Sequence, residues 1–302
     1  MMTGPGPVGP QLWTFRLTGR TPLSYDPYHL HAVVSRWLDP SDGHHGRHKP
    51  WTIDWPEAVT DGLRVRIRLL DPRLSEVLLT AATTAARLRL GSWHARVARA
   101  PVLSAQPAWT ALANAVPHTR WRFEFLSPVT FHAGNRFHPL PQPVQMLEGL
   151  LAAWNRWSPL PLTVSFTAAD VPVEDLNLRS EAVTFRRGGR DRSQPITVSG
   201  SVGSLTIRVT EPCLRPAVAT LAIWSRFAGI GAWTERGFGT CRAVPEDRRR
   251  LVGARARADY SVICSARAAG SDPHAEGRIA TGIQERAAAI FRASTSHADG
   301  RI

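Results

Sequence analysis

The order of strand-like and helix-like segments restricts the fold of this chain more than any other feature of its sequence. Apolar residues that alternate with polar ones predict strands, and apolar residues spaced three and four apart predict helices. In the first part of the chain the predicted segments are strand 11–17, helix 27–38, strand 62–70, helix 71–88 and strand-like residues over 92–103.

The second part of the chain repeats this order without repeating the residues themselves. Its predicted segments are strand 120–131, helix 141–157, strands 162–170, 180–187 and 195–209, helix 215–229 and a short final strand 237–244. A β-α-β-β-α-β order that occurs twice is typical of two ferredoxin-like units. We therefore predict an α+β fold built from two tandem ferredoxin-like (RRM-like) domains.

The predicted domains are residues 1–110, which contain a candidate catalytic loop, and residues 111–245, which contain a glycine-rich loop. Residues 104–119 are the predicted linker between them. Beyond Pro245 the sequence is poor in large apolar residues and has no steady periodicity. We predict a low-order C-terminal tail over 246–302.

An excess of basic residues indicates the kind of partner that the chain attracts. The 302 residues include 37 Lys and Arg against 24 Asp and Glu, which gives a formal net charge of +13. Such a charge attracts polyanions, chiefly nucleic acid, although an arginine-rich proteome would produce the same excess.

Cysteine usage and hydropathy indicate where the chain works. Cys213, Cys241 and Cys264 have neither metal-ligand spacing nor the even count of a disulfide framework, which fits a reducing compartment. The first residues have no signal-peptide pattern, and no apolar stretch reaches the length of about 18 residues that a membrane span needs. We expect a cytoplasmic protein with no membrane partner.

The segment GIGAWTERGFG (229–239), called the glycine-rich loop below, follows a predicted helix and precedes a predicted strand. Its four glycines allow positive φ angles and a close approach of the backbone to a ligand, and exposed N–H groups in such a loop can hold phosphate. The arginines around it are Arg226, Arg236 and Arg242. The loop lacks the GK[ST] of a Walker motif, and a dinucleotide loop would run from strand to helix. A tight structural turn remains the alternative.

A loop of this form, between the last helix and last strand of a second ferredoxin-like domain, resembles the hallmark of the RAMP superfamily of CRISPR-associated proteins. Within that superfamily GIGAWTERGFG is most similar to the repeat-processing endoribonucleases, and the resemblance spans roughly residues 11–244. The resemblance implies that Gly229, Gly231, Gly237 and Gly239, with Arg236, help bind RNA.

The segment HHGRHKPWT (44–52) concentrates His44, His45 and His48 beside Lys49, the only lysine in the chain. These residue types suit metal-free RNA cleavage by the adjacent 2′-hydroxyl. Histidine can take or give a proton near neutral pH, and a cation can stabilise the phosphorane-like charge. Three histidines within five residues could instead bind a transition metal, and a solvated histidine-rich turn is the third interpretation.

The resemblance to the endoribonucleases bears on the same segment. Family members often carry a histidine after the first helix, followed by a Lys-aromatic-Thr segment that begins a strand; here that segment is 49–52. The resemblance implies that His45 or His44 is the catalytic histidine, with His45 slightly preferred, and that Lys49 stabilises charge. By contrast, His31 on the first helix is predicted to be a packed or supporting residue.

Arginines cluster around two glycines in FRRGGRDR (185–192), which has the pattern of a β-hairpin tip. Arginine forks bind phosphate and stack on bases, so this tip could enter the groove of an RNA stem; a solvated surface hairpin is the alternative. The residues are Arg186, Arg187, Arg190 and Arg192, and outward-facing Arg64, Arg66 and Arg68 could extend the patch.

These observations predict a metal-independent endoribonuclease that cuts CRISPR precursor RNA within the repeat and leaves 2′,3′-cyclic phosphate and 5′-hydroxyl ends. It needs no cofactor and no metal. The alternatives are a non-cutting RNA-binding RAMP subunit of a CRISPR effector complex and a metal-dependent hydrolase that uses the HHxxH cluster. The expected partners are CRISPR repeat RNA and other effector subunits, with the chain as a monomer or homodimer.

Overall fold

Antiparallel pairing joins the strands of the N-terminal half into one sheet in the computed structural model, which describes residues 8–19, 27–39, 48–85, 87–134, 136–185 and 195–246. The sheet order is β2-β4-β1-β6-β5, with β3 also paired to β4 and β7 to β1. The elements are β1 (Gln11–Thr18), α1 (Pro27–Leu38), β2 (Trp51–Ile53), β3 (Glu57–Val59), β4 (Gly62–Leu69), α2 (Ser75–Thr84), β5 (Leu88–Leu90), β6 (Trp93–Val97) and β7 (Val102–Ala105).

The C-terminal half builds a second, four-stranded antiparallel sheet in the order β11-β12-β8-β13, and β9 and β10 form a separate short pair. Its elements are α3 (Trp109–Ala113), β8 (Arg120–Val129), β9 (Phe131–Ala133), β10 (Arg136–His138), α4 (Pro143–Trp157), β11 (Val173–Phe185), β12 (Ile196–Arg208), α5 (Arg215–Ala228) and β13 (Cys241–Pro245). Short 3-10 turns cover Pro72–Leu74, Pro212–Leu214 and Thr234–Arg236.

Both sheets have the strand order of a ferredoxin-like unit, in which the first strand lies between the third and the fourth. In the N-terminal half that strand is β1, between β4 and β6, and in the C-terminal half it is β8, between β12 and β13. A β-α-β-β-α-β order gives this topology, and because the order occurs twice along the chain, the topology occurs twice. The prediction of an α+β fold with two tandem ferredoxin-like units is confirmed.

The described residues belong to one compact unit of the chain, Met1–Ala254. Each half nevertheless builds its own sheet, and the division between residues 110 and 111 stays a prediction. The predicted tail 246–302 lies outside the described residues beyond Glu246. No helix in the part of the chain that the structure describes is long and apolar enough to cross a membrane.

The predicted linker 104–119 contains a structured element and is not a simple connection. Helix α3 buries Trp109 against two tryptophans of the second core, Trp154 and Trp224, with both ring-centroid distances at 5.5 Å. Aromatic rings of this size remove a large apolar area from water, so α3 belongs to the second core. Its five residues are too few for the helical periodicity that would have predicted it.

The strand predicted at 162–170 is wrong: this segment has no strand, and its last turn is held by hydrogen bonds from the Thr167 backbone and hydroxyl to the Asp170 carboxylate, at 2.8 and 2.7 Å. The second strand of this half instead runs over Val173–Phe185. It is exposed along most of its length, so it lacks the apolar alternation by which strands are predicted.

Two hydrogen bonds join the two halves, and a buried ion pair of the N-terminal half supports one of them. Asp54, just after β2, pairs with Arg68 of β4, and both side chains are only 7% exposed. Asp54 also accepts a hydrogen bond from the hydroxyl of Thr240, just before β13, at 3.2 Å. The Thr52 hydroxyl donates to the carbonyl of Phe227 in α5 at 2.9 Å. The prediction that Arg68 points outward is therefore wrong, because its carboxylate partner holds it inside.

We expect Asp54→Ala to lower the free energy of unfolding by about 3–5 kcal/mol, since it leaves the Arg68 guanidinium buried without a partner. Burial already lowers the pKa of Arg68 to about 10. Denaturation with urea measures the effect. The control is Asp61→Ala, which breaks a pair with Arg16 whose side chains are 59% and 49% exposed; its cost should stay below about 1 kcal/mol. Equal losses for the two variants would contradict this account.

Candidate functional site

A cleft of about 590 Å³ lies where three distant parts of the chain meet. Its walls come from α1 and the segment that enters β2, from one face of α4, and from the glycine-rich loop after α5. This volume falls within the range of about 300–1,000 Å³ that is typical of ligand sites. The cleft therefore brings the candidate catalytic segment of the N-terminal half against the glycine-rich loop of the C-terminal half.

The glycines of the loop are required by its backbone path. All four have positive φ angles, from 69° at Gly239 to 93° at Gly237. A Cβ atom at Gly239 would lie 2.0 Å from the Ile230 carbonyl oxygen, and one at Gly231 would lie 2.3 Å from the Thr130 carbonyl oxygen. Any side chain at these two positions would force the loop to move.

The two glycine pairs of the loop differ in exposure. Gly229 is half-buried and Gly231 is exposed, whereas Gly237 and Gly239 are buried. The N–H of Gly239 donates to the Pro128 carbonyl at 2.9 Å, and that of Gly237 to the Thr234 carbonyl at 3.4 Å. The second pair therefore shapes the loop and has no N–H group free for a ligand.

The N–H groups that remain for a ligand are at the tip of the loop. In the part of the chain that the structure describes, no hydrogen-bond acceptor faces the backbone N–H of Gly231, Trp233, Thr234 or Glu235. Trp233 is the left-handed cap of the 3-10 turn Thr234–Arg236, and Thr234 and Glu235 are its first two residues. Neighbouring N–H groups in such a turn form a concave site that suits an anion.

Trp233 is the one residue other than glycine with a positive φ angle among the described residues, at 63°. A bulky side chain in the left-handed region is unfavourable, so the surrounding structure must hold it there. The Arg236 guanidinium lies 4.5 Å from the centre of the Trp233 ring. The Phe137 ring packs against the Trp233 ring, with 4.5 Å between the ring centroids. These contacts fix the tip of the loop.

Trp233 belongs to an aromatic cluster that the sequence did not reveal. Its members come from segments far apart in the chain, so no local pattern could have predicted it. They are Tyr28 of α1, Trp55 after β2, Phe137 of β10, Phe185 at the end of β11, and Trp233 and Phe238 of the loop.

His31 of α1 is tied to the tip of the loop. Its Nδ1–H donates to the Glu235 carbonyl at 3.0 Å, and its ring packs against Trp51 with centroids 5.6 Å apart. Burial lowers the pKa of His31 below its ordinary value, although the hydrogen bond to Glu235 and its negative charge oppose this shift. The neutral imidazole is therefore a support that connects α1 to the loop.

Lys49 is held by a carboxylate that the sequence analysis did not single out. Its Nζ lies 2.7 Å from Oδ2 of Asp39, at the end of α1, and both side chains are about one-tenth exposed. Lys49 and the exposed His48 line the cleft together. The ion pair fixes the ammonium at the wall of the cleft, and the sequence could not show this because ten residues separate the partners.

The charged residues that line the cleft are mainly cations. Lys49, Arg156 and Arg236 contribute three cations, and the one carboxylate among the described lining residues is that of Glu235. The Glu235 carboxylate lies 3.5 Å from Nε of the Arg236 guanidinium. Arg156, in the last turn of α4, is exposed and has no carboxylate partner within the described ranges. Arg156 could not be predicted as a site residue from the sequence, because nothing local distinguishes it from other surface arginines.

Several predicted site residues lie outside the described residues. These are His44 and His45 of the histidine cluster and Arg186, Arg187, Arg190 and Arg192 of the predicted hairpin tip. The strands that flank the tip do pair, with Phe185 opposite Ile196, and Phe185 packs against Trp233 at 5.5 Å. Strand β11 therefore ends beside the glycine-rich loop.

The other predicted arginines are engaged in ion pairs. Arg64 and Arg66 lie 2.9 and 3.4 Å from the Glu57 carboxylate, and Arg242 pairs with Glu124. Within the described ranges, no three His, Cys, Asp or Glu residues are placed to hold a metal ion. The HHxxH cluster extends beyond those ranges, so the metal alternative stays open.

Known proteins resemble this chain in both sequence and structure. Residues 123–241 match the family model of the CRISPR-associated endoribonuclease Cas6. A Cas6 of Thermus thermophilus is 27% identical, with a TM-score of 0.59 over 80% of this chain and 100% of that chain. The same protein in a product complex is 28% identical, with a TM-score of 0.65 over 78% and 99%.

A second Cas6, also in a product complex, has a TM-score of 0.62 at 20% identity over 78% of this chain and 99% of that chain, which supports the fold alone. No curated protein matches the chain. Together with the family match, these likenesses confirm the predicted resemblance to the repeat-processing endoribonucleases.

We expect the stability that buried His31 contributes to fall in acid, because burial disfavours its charged form. Because burial lowers the pKa of His31 below 6.5, the unfolded chain binds a proton between the two pKa values that the folded chain does not. The free energy of unfolding contributed by His31 should therefore be intact above about pH 6.5 and should fall as the pH decreases from there.

Denaturation at a series of pH values tests this expectation. His31→Gln keeps a donor for the Glu235 carbonyl but does not titrate, so it should lose less stability than the wild type between about pH 7 and pH 5. Parallel stability curves for the two proteins would show that His31 is not the titrating group.

Proposed function

We propose that this chain, which resembles the CRISPR-associated endoribonuclease Cas6, cleaves CRISPR precursor RNA within the repeat without a metal ion. One observation carries the proposal: the segment with His48 and Lys49 and the tip of the glycine-rich loop line the same cationic cleft. A polyanionic backbone in this cleft would meet an anion-binding turn and the candidate acid–base segment at once.

The proposed reaction is an in-line transesterification. The 2′-hydroxyl oxygen attacks the adjacent phosphorus while the bond from phosphorus to the 5′ oxygen breaks. One group takes the proton of the 2′-hydroxyl, and another gives a proton to the departing 5′ oxygen. The products are a 2′,3′-cyclic phosphate and a 5′-hydroxyl, and neither an oxidant nor a metal is required.

Each chemical role has a candidate in the chain. His45 or His44 is the proposed general base or acid, because both precede the cleft residue His48 by only a few positions. Lys49 stabilises the negative charge that develops on the phosphoryl oxygens, and its pair with Asp39 holds the ammonium in place. Free N–H groups at the tip of the loop add a second source of positive potential.

RNA binding is proposed to extend from the cleft over the hairpin. Gly229, Gly231, Gly237 and Gly239 give the loop its shape, and Arg236 is fixed over Trp233 at its tip. The predicted hairpin tip, in the sequence between β11 and β12, has arginines that can bind the backbone of an RNA stem by shape. These residues are Arg186, Arg187, Arg190 and Arg192. The proposed partners are repeat RNA and other CRISPR effector subunits, and the chain is a monomer or homodimer.

Single-turnover cleavage of repeat RNA should be about 10²–10⁴ times slower in His45→Ala, the size expected when a general acid or base is removed, while RNA affinity is retained. His44→Ala and His48→Ala, assayed beside it, identify which histidine of the cluster acts. If none of the three variants slows cleavage, the acid–base assignment is wrong.

The role of Lys49 needs a variant that keeps the pair with Asp39. Lys49→Arg preserves that pair but replaces a compact ammonium by a planar guanidinium, so cleavage should slow while thermal stability is kept. Lys49→Ala also leaves Asp39 without its partner, so it should lose both activity and stability. Full activity in Lys49→Ala would remove Lys49 from the mechanism.

Cleavage should persist in excess EDTA, and the 5′ fragment should end in a cyclic phosphate that resists phosphatase until it is opened by acid. Loss of cleavage in EDTA with recovery on adding Zn²⁺ or Mn²⁺ would favour a hydrolase that uses HHxxH. Tight binding of repeat RNA with no product in either buffer would favour a non-cutting RAMP subunit.

A further inference from the structure

The wall of the cleft formed by α4 has no part in the reaction proposed above. The buried Met146 and Leu150 of this helix line the cleft, and the exposed and half-buried residues of the helix that line it as well are Gln145, Gly149, Ala152, Ala153, Arg156 and Trp157. Their spacing of three and four places them along one face, beside the stripe that α4 buries in the core. The exposed and half-buried residues in the middle of this wall are only glycine and alanine, with a cation and an indole at its C-terminal end.

Gly149 is not required by the fold. It lies in the middle of α4, where glycine is less favourable than alanine. A Cβ atom built at this position would meet no atom of the described residues within 4 Å. Its φ angle is not positive, in contrast to those of the loop glycines. The missing side chain therefore leaves open space in the cleft.

The chemistry of the wall indicates what this space accepts. Gly149, Ala152 and Ala153 present a flat, apolar surface, which suits the face of a nucleobase. Trp157 adds an aromatic ring, and Arg156, which lacks a carboxylate partner within the described ranges, can bind a phosphate or stack on a base. A volume of about 590 Å³ suits roughly one or two nucleotides of single-stranded chain and is too small for the width of an A-form duplex.

We propose that the α4 wall is a pocket for one unpaired nucleotide of the bound RNA, with its base over Gly149 and Ala153 and its phosphate at Arg156. The proposal rests on the proposed function, because it assumes that the cleft receives the RNA backbone. It adds a contact to a base, through which the site can recognise where a paired stem ends.

The test uses the full-length chain and fluorescently labelled repeat RNA of the host's CRISPR array. Gly149→Leu fills the pocket from a position that leaves the core untouched, so its melting temperature should equal or exceed that of the wild type. Its affinity for the RNA should fall about tenfold or more, since the base can no longer stack there. Gly149→Ala is the matched control and should keep wild-type affinity.

A second pair of variants distinguishes the contribution of the pocket to RNA affinity from that of the overall positive charge. Arg156→Ala should weaken binding, whereas Arg99→Ala removes the same charge from an exposed position that does not line the cleft and should bind more tightly than Arg156→Ala. Equal RNA affinities of Gly149→Leu and Gly149→Ala, or of the two arginine variants, would overturn the proposal that this pocket holds a nucleotide.

Repeat RNAs with single abasic nucleotides locate the base. At one unpaired position the abasic change should weaken binding by the wild type but not weaken binding by Gly149→Leu any further, because both changes remove the same contact. Additive losses at every position would overturn the pocket while leaving the proposed nuclease intact. A wild-type protein that binds no repeat RNA would refute both.

Discussion

Two hydrogen bonds to the C-terminal half, one from Thr52 of β2 and one to Asp54 just after that strand, determine where the glycine-rich loop lies. Thr52 binds the Phe227 carbonyl just before the loop, and Asp54 accepts from Thr240 just after it. The two ends of the loop are thus held by Thr52 of β2 and by Asp54, which follows that strand. Since β2 begins two residues after Lys49, the same contacts align the loop with the candidate catalytic segment.

Asp54 holds the loop only because Arg68 neutralises its charge inside the protein. A buried carboxylate without a cation would be strongly unfavourable, and a buried guanidinium without a carboxylate equally so. The pair therefore makes the junction between the halves sensitive to either partner. It stabilises one arrangement of the halves, and the cleft is a consequence of that arrangement.

The cleft combines fixed cations with open space beside small residues. Lys49 and Arg236 are each held by a neighbouring group, Asp39 in one case and Trp233 in the other, so their positions are fixed before any ligand binds. Fixed cations lose little entropy on binding and need little reorganisation when charge develops. Arg156 is exposed, and the small residues beside it leave room that the fixed cations do not occupy.

Much of the fold could be predicted from local pattern. The helices at 27–38, 141–157 and 215–229 were placed within a few residues, because their apolar spacing reports a buried face directly. The pattern was wrong where burial did not decide the structure. Residues 162–170 look apolar but form no strand, and the exposed strand Val173–Phe185 extends well before the predicted segment.

The sequence by itself determined the repeated topology, the basic surplus and the glycines that a backbone with positive φ angles needs, because each depends on composition or on spacing along the chain. Only the tertiary structure decided that Asp39 holds Lys49, that Arg68 is buried, that four aromatic rings from other segments pack around the two of the loop and that α4 lines the cleft. The physical reason is that these contacts join residues far apart in sequence, and their free energies depend on burial and distance, which spacing along the chain does not encode.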